Sequence, residues 1–350
     1  MPGYRARPAR TRLFFEEYAV RGWGVQFTAP RRVDVVPVEV PQPQPGQLLV
    51  RAAYSGISTG TELLAYRGEL DPDLVRDESI GSLGGTFRYP FRYGYSCAGV
   101  VERGTATVPA GSLVFAFHAH QDRFIVGEAD VVALDPGADP RRATLFPLVE
   151  TALQLALDAG PVLHEPVVVV GLGTVGLLTA LLLRRAGATV VATEPREWRR
   201  EVAASVGIDA IAPDEAADRV GQVTGGRGVS LLVELSGAPA ALADGLGLLA
   251  HEGVALVGSW YGTKPAPLPL GGAFHRRRLT LRSSQVSTIP AALASRWDVP
   301  RRRAAARELL ADLPLAALPV GEFAFADAPA AYAALDRGER GLLHAALRYE

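Results

Sequence analysis

Three closely spaced glycines behind a run of valines carry the strongest chemical signal in the chain: Val167-Val-Val-Val-Gly171-Leu-Gly173-Thr-Val-Gly176. This spacing suits a dinucleotide phosphate when it follows a strand and opens a helix. Gly171 allows the tight turn out of the strand. Gly173 lets backbone approach a pyrophosphate, and Gly176 lets the helix lie close on the sheet. Thr174 and Val175 open that helix, whose free N–H groups and dipole favour an anion. Glu194 closes the next apolar run, near the roughly 20-residue spacing of the acid that takes the adenosine ribose hydroxyls. A carboxylate there repels a 2′-phosphate, so NAD is favoured over NADP. Arg196, Arg199 and Arg200 follow at once. They read as phosphate ligands or as the exposed start of a helix. Ser236 and Gly258 end two later apolar runs, where doubly wound sheets bind ligands and small residues admit a nicotinamide.

The elements that must hold this loop are legible from hydrophobic patterning. Pro166–Val170 is wholly apolar, as a strand buried on both faces requires. Helices are predicted over 143–159, 174–186, 198–206 and 239–249, and strands over 188–193, 229–235 and 253–258. Such alternation predicts a parallel, doubly wound sheet. Upstream, short apolar runs at 32–40, 47–53, 98–102, 112–117 and 122–126 are separated by turn residues and predict a barrel-like β unit. Downstream come an arginine-rich helix at 301–310, read as a solvated face, a helix at 328–336 and a strand at 342–349. The division is a β-rich unit over 1–150, a nucleotide-binding unit over 151–300 and a return segment over 301–350.

Composition narrows the class. The 350 residues are too many for one core and suggest two domains. Net charge is −1, which provides no field for nucleic acid or anionic lipid. The single cysteine, Cys97, cannot form an internal disulfide, so a reducing, cytoplasmic setting is expected. Residues 1–15 have no apolar run of signal-peptide length. No membrane span is expected.

With the order of elements established, the chain resembles the medium-chain dehydrogenase/reductase superfamily over nearly its whole length. The likeness runs through Pro45-Gly-Gln-Leu-Leu-Val-Arg-Ala-Ala-Tyr-Ser-Gly-Ile57, Gly60-Thr-Glu62, Tyr66-Arg-Gly68 and Gly94-Tyr-Ser-Cys-Ala-Gly-Val-Val101 as well as the glycine loop. Its segments 55–62 and 94–99 look most like the bacteriochlorophyllide-dehydrogenase-like branch. The resemblance implies a GroES-like β-barrel catalytic domain with a Rossmann domain, a cleft site between them, a small-molecule substrate and a homodimer.

The zinc members' ligands are not matched. Ser58 and Thr59 stand where the family has a cysteine, and Gly94-Tyr95-Ser96 where it has Gly-His-Glu. Glu150 falls near the third ligand but out of register. Zinc needs thiolate, imidazole or carboxylate donors at fixed spacing, so no zinc is expected. Hydroxyls must then manage charge on the reacting oxygen. Tyr95, in the histidine's place, is a candidate donor or acid. Thr61 matches the proton-relay position, and Ser58 or Thr59 could hold a polar group of the substrate. Glu62 matches an organising acid, and Thr151 a contact to the nicotinamide. His118 and His120 are expected on one side of a strand, with one near the substrate opening.

The resulting expectation is an NAD(P)-dependent oxidoreductase that interconverts a secondary alcohol and a ketone on a larger molecule without zinc. A C=C reductase and a non-catalytic NAD(P)-binding protein remain as alternatives.

Overall fold

The computed structural model describes residues 20–77 and 80–350. The reading of residues 1–15 lies outside them. Six parallel strands form one sheet, in the order Asp209–Ile211, Thr189–Thr193, Pro166–Val170, Val229–Glu234, Leu249–Val257 and Thr280–Ser283. The first strand of the unit is central and the order reverses beside it, which opens a ligand crevice at the carboxyl ends. Valines of Pro166–Val170 alternate between two cores: Val167 and Val169 join one, Val168 and Val170 the other. This double burial explains the unbroken apolar run.

The second unit is β-rich. Gln47–Ile57 pairs antiparallel with Cys97–Arg103, Arg123–Gly127 and His344–Arg348, so residues from the far end of the chain complete its sheet. Val320–Ala324 adds a parallel edge. A smaller sheet of Arg32–Val40, Val20–Ala29 and Phe91–Arg92 packs against it. The architecture is a GroES-like β-barrel domain joined to a Rossmann domain, as the sequence patterns and the resemblance together indicated.

The helix expected over 143–159 is Phe146–Ala159, preceded by a separate turn of helix, Pro140–Ala143. It packs against Val299–Asp312 through a buried ion pair. Arg302 Nη2 lies 3.0 Å from Glu150 Oε1, and its Nη1–H donates to Gln154 Oε1 at 2.6 Å. The arginine-rich helix is therefore only partly a solvated face. The helix Ala216–Thr224 and the strand Thr280–Ser283 were not among the elements expected from the sequence. Among the described residues, no helix is long and apolar enough to cross a membrane.

Candidate active site

Register delivers the cofactor residues to one place. Thr193 and Glu234 both pair with Val170, so their strands end level. The Gly171 N–H donates to Thr193 O and the Leu235 N–H to Val170 O, each at 2.8 Å. Glycine is required here. Gly171 has φ +93°, and a Cβ on it would sit 2.6 Å from Ser236 Cα. A Cβ on Gly176 would meet Gly171 O at 1.9 Å, whereas one on Gly173 meets nothing within 4 Å and would project into open space. That space is the cradle a diphosphate needs. Gly173 caps the 12-residue helix Thr174–Arg185, whose first N–H groups receive no side-chain cap.

A cleft of about 700 Å³ runs between the two domains from this cradle. Most of the residues singled out in the sequence line it: Gly171, Gly173, Thr174, Val175, Gly176, Glu194, Ser236 and Gly258 along the Rossmann strand ends, Thr151 on the helix Phe146–Ala159, and Ser58, Thr59, Thr61 and Tyr95 on the barrel. Several of their polar groups are already engaged. Thr174 Oγ1–H donates to Leu343 O at 2.9 Å, and Thr151 Oγ1–H to Pro147 O at 2.8 Å. Ser236 Oγ–H donates to Glu234 Oε1. These three shape the cleft through backbone and methylene surface rather than by free hydroxyls. Glu194 is buried and accepts from the Leu172 and Arg196 N–H groups at 3.0 Å each. Arg199 is not an exposed helix start: its guanidinium is mostly buried, 3.5 Å from Glu194, and lies over the Trp198 ring.

The barrel side is organised by Glu62. Its side chain is fully buried and accepts from the Ser58 N–H at 2.9 Å, the Tyr332 O–H at 2.5 Å and His120 Nε2 at 2.8 Å. His120 Nδ1 is 2.7 Å from Ser55 Oγ, which in turn lies 2.9 Å from the Tyr349 hydroxyl. Three donors on one carboxylate satisfy a charge that burial alone would make very costly. Tyr95 stands at the cleft end of this cluster and lines the cleft with Ser58 and Thr61. Burial first, and the Glu62 charge second, push its pKa up to about 12, against the opposing pull of those two hydroxyls.

The histidines do not behave as alternation suggested. The strand ends at Ala116, so His118 and His120 lie in irregular chain and diverge. His118 stacks on Phe124, and burial holds its pKa down at about 4. His120 turns inward to Glu62, and neither lines the cleft. Tyr332 was not foreseen, because nothing local marks a tyrosine that meets its partner 270 positions away. Lys264 and Trp260, which also line the cleft, were missed too. Lys264 left a signal in the composition, as the only lysine among 36 basic residues.

Comparison with known proteins agrees with this geometry. The family model described as zinc-binding dehydrogenase matches residues 174–298. The L-threonine 3-dehydrogenase of Pyrococcus furiosus is 30% identical over 268 residues, covering 65% of this chain and 73% of that protein. The chain belongs to the medium-chain dehydrogenase/reductase superfamily. Another relative is the 2-desacetyl-2-hydroxyethyl bacteriochlorophyllide A dehydrogenase of Cereibacter sphaeroides, 30% identical over 219 residues, covering 57% of this chain and 64% of that one. The solved alcohol dehydrogenase of Thermus sp. ATN1 superposes with a TM-score of 0.74 at 22% identity, over 94% of this chain and all of that one. Membership makes the chain an NAD(P)-dependent oxidoreductase of the alcohol dehydrogenase type, and the cradle at Gly173 fits the shared nicotinamide cofactor.

Proposed function

We propose that this superfamily member prefers NAD and interconverts a secondary alcohol and a ketone without zinc, with Tyr95 as the donor to the reacting oxygen. The observation that carries the reading is the state of Tyr95. It lines the cleft together with the Ser58 and Thr61 hydroxyls, so its phenol is placed to donate to a substrate held there. With its pKa near 12 it stays protonated at neutral pH. As a neutral donor it stabilises negative charge developing on a carbonyl oxygen. The bound nicotinamide supplies or takes the hydride. Burial first, and the Glu62 charge second, keep the phenol from ionising.

The residues do not fit a zinc ion. The positions that hold its ligands in the zinc members carry hydroxyls, which are poor zinc donors. Glu62 is saturated by three donors, and Glu150 is held by Arg302. Cys97 is buried, and burial pushes its thiol far above the ordinary range. Among the described residues no three histidine, cysteine or acidic side chains cluster as a metal site would require.

Two further features support the reading. Glu194 is locked by two backbone N–H groups and cannot swing aside for a 2′-phosphate, while the Arg196 guanidinium packs over Gly338. Relatives are named as dehydrogenases of L-threonine and of a hydroxyethyl bacteriochlorophyllide, both secondary alcohols. A homodimer through the free edge of Thr280–Ser283 completes the proposal.

The deciding experiment offers 4-deuterated NADH with ketones and with enones to protein of measured metal content. Deuterium on a carbinol carbon, in metal-free protein, supports the reading. Deuterium only at the β-carbon of enones makes the protein a C=C reductase. Activity that tracks stoichiometric zinc removes the hydroxyl-based mechanism. Glu194→Ala should weaken NAD binding far more than NADP binding.

A further inference from the structure

Lys264 stands alone in this sequence: every other basic side chain is arginine. Thirty-six positions accept a basic side chain, and at just one of them is the compact ammonium kept. Arginine presents a wide planar fork, whereas lysine presents a small charge on a flexible stem with three rotatable donors. The single lysine lies in the segment after Leu249–Val257, at the carboxyl end of the sheet where ligands bind. It lines the same cleft as Ser58, Thr61 and Tyr95.

Its mounting is rigid and its head is loosely held. The Thr263 N–H and Oγ1–H both donate to Glu69 O, at 2.9 and 3.2 Å. A Cβ on Gly262 would lie 2.2 Å from that same oxygen, so the Rossmann-side loop presses directly on the barrel there. The Lys264 ammonium, by contrast, is 3.2 Å from Glu69 Oε2 with both side chains about a third exposed. That carboxylate oxygen is itself shut off from solvent and makes no aligned hydrogen bond, so it stays beside the ammonium. The lysine is exposed enough to turn another of its three donors to an incoming anion. Trp260, four positions earlier in the same segment, is 41% exposed, lines the same cleft, and is braced edge-on against Phe87 at 6.2 Å. A braced indole face and an ammonium presented by one short segment to one cleft suit a flat or apolar body that carries one anionic group.

We propose that Lys264 and Trp260 form an anion subsite in the cleft, so that the substrate of the proposed reaction carries a carboxylate or phosphate on an apolar or aromatic body. The proposal rests on this cleft being the reaction site. A mere clasp between Glu69 and Lys264 is the rival explanation.

The single lysine makes the test direct. Reductive methylation of the full-length protein with ¹³C-formaldehyde keeps the charge and leaves one side-chain dimethylamine signal, identified by its absence in Lys264→Arg. With NAD⁺ bound, as checked by calorimetry on the same sample, benzoate, phenyl phosphate and neutral benzamide are titrated at constant ionic strength. A saturable shift with either anion, roughly tenfold weaker or absent with benzamide, supports the subsite, and the responding anion identifies its class. Glu69→Gln should tighten that anion, and Lys264→Met should abolish its calorimetric binding while NAD⁺ affinity stays. A signal that no anion moves, or that benzamide moves as well as benzoate, overturns the proposal. The proposed alcohol–ketone reaction is judged separately by the deuteride assay.

Discussion

His120 Nε2 lies 2.8 Å from Glu62 Oε2, and both side chains are fully shut off from solvent. A neutral His120 that donates from Nε2 leaves Nδ1 to accept the Ser55 hydroxyl, so one tautomer satisfies both neighbours. The negative charge of Glu62 is thereby held in place behind Tyr95, where it helps keep the phenol protonated. Glu62→Gln removes that charge. Tyr95 acts as its protonated form, so activity is lost as pH rises through its pKa. With the charge gone the pKa falls, and the alkaline limb of the kcat/KM profile should move to lower pH. Urea unfolding should show a loss of about 3 kcal/mol, since Gln cannot satisfy three buried donors.

Tyr95→Phe removes one donor to the reacting oxygen. The cost should be on the order of 10²–10³ in kcat, as for other single oxyanion donors. Cofactor affinity by fluorescence titration should stay within about twofold, because Tyr95 lies on the barrel side of the cleft. An equal loss of NADH binding would contradict the assignment.

The glycines of the loop should separate cleanly. Gly173→Ala puts a methyl into open space, so the melting temperature should hold while NAD⁺ affinity drops about tenfold or more. Gly176→Ala drives a methyl onto Gly171 O and should lower stability by about 3 kcal/mol or more, before any binding is measured. Similar stability for the two variants would show that the cradle has been misplaced.

Arg302 tests the seam between Phe146–Ala159 and Val299–Asp312. Arg302→Met leaves the buried Glu150 carboxylate with Arg303 alone, 3.6 Å away, and should cost about 3 kcal/mol in chemical denaturation. Burial already raises the Glu150 pKa despite both nearby arginines, so the loss should shrink at acid pH, where the lone carboxyl can protonate. Adding Glu150→Met should recover at least half of it.

His344 gives the fold an acid limit. Its Nε2 is 3.1 Å from Thr144 Oγ1, and its Nδ1 has no partner. Burial, with His120 nearby, holds its pKa down from 6.5 to about 4. Between those values the unfolded chain takes a proton that the folded chain refuses, so stability falls as pH drops from 6.5 to 4. His344→Gln should make that slope shallower in denaturation measured across the window, leaving the share of His118, which is held down to about 4 as well.

The dinucleotide loop was readable because its requirements are local. Six residues must turn, stay bare and start a helix, and the valine run before them is apolar throughout because its strand is buried on both faces. Hydrophobic periodicity likewise marked the alternating strands and helices. Residue pairing was not readable. Nothing in the sequence says that neighbouring carboxylate and carbonyl oxygens engage the hydroxyls of Ser236, Thr151 and Thr174. His118 and His120 look like a pair only while the strand is assumed to continue past Ala116.

By itself, then, the sequence determined a two-unit chain with a glycine cradle for a coenzyme and hydroxyl side chains at Ser58, Thr59 and Tyr95. These properties follow from local backbone geometry and from which side chains exist. Only the tertiary structure decided which of them meet. Glu62 gathers partners from 4, 58 and 270 positions away, and Lys264 reaches a glutamate on the other domain. Such meetings depend on strand register and domain packing, and no local pattern encodes either.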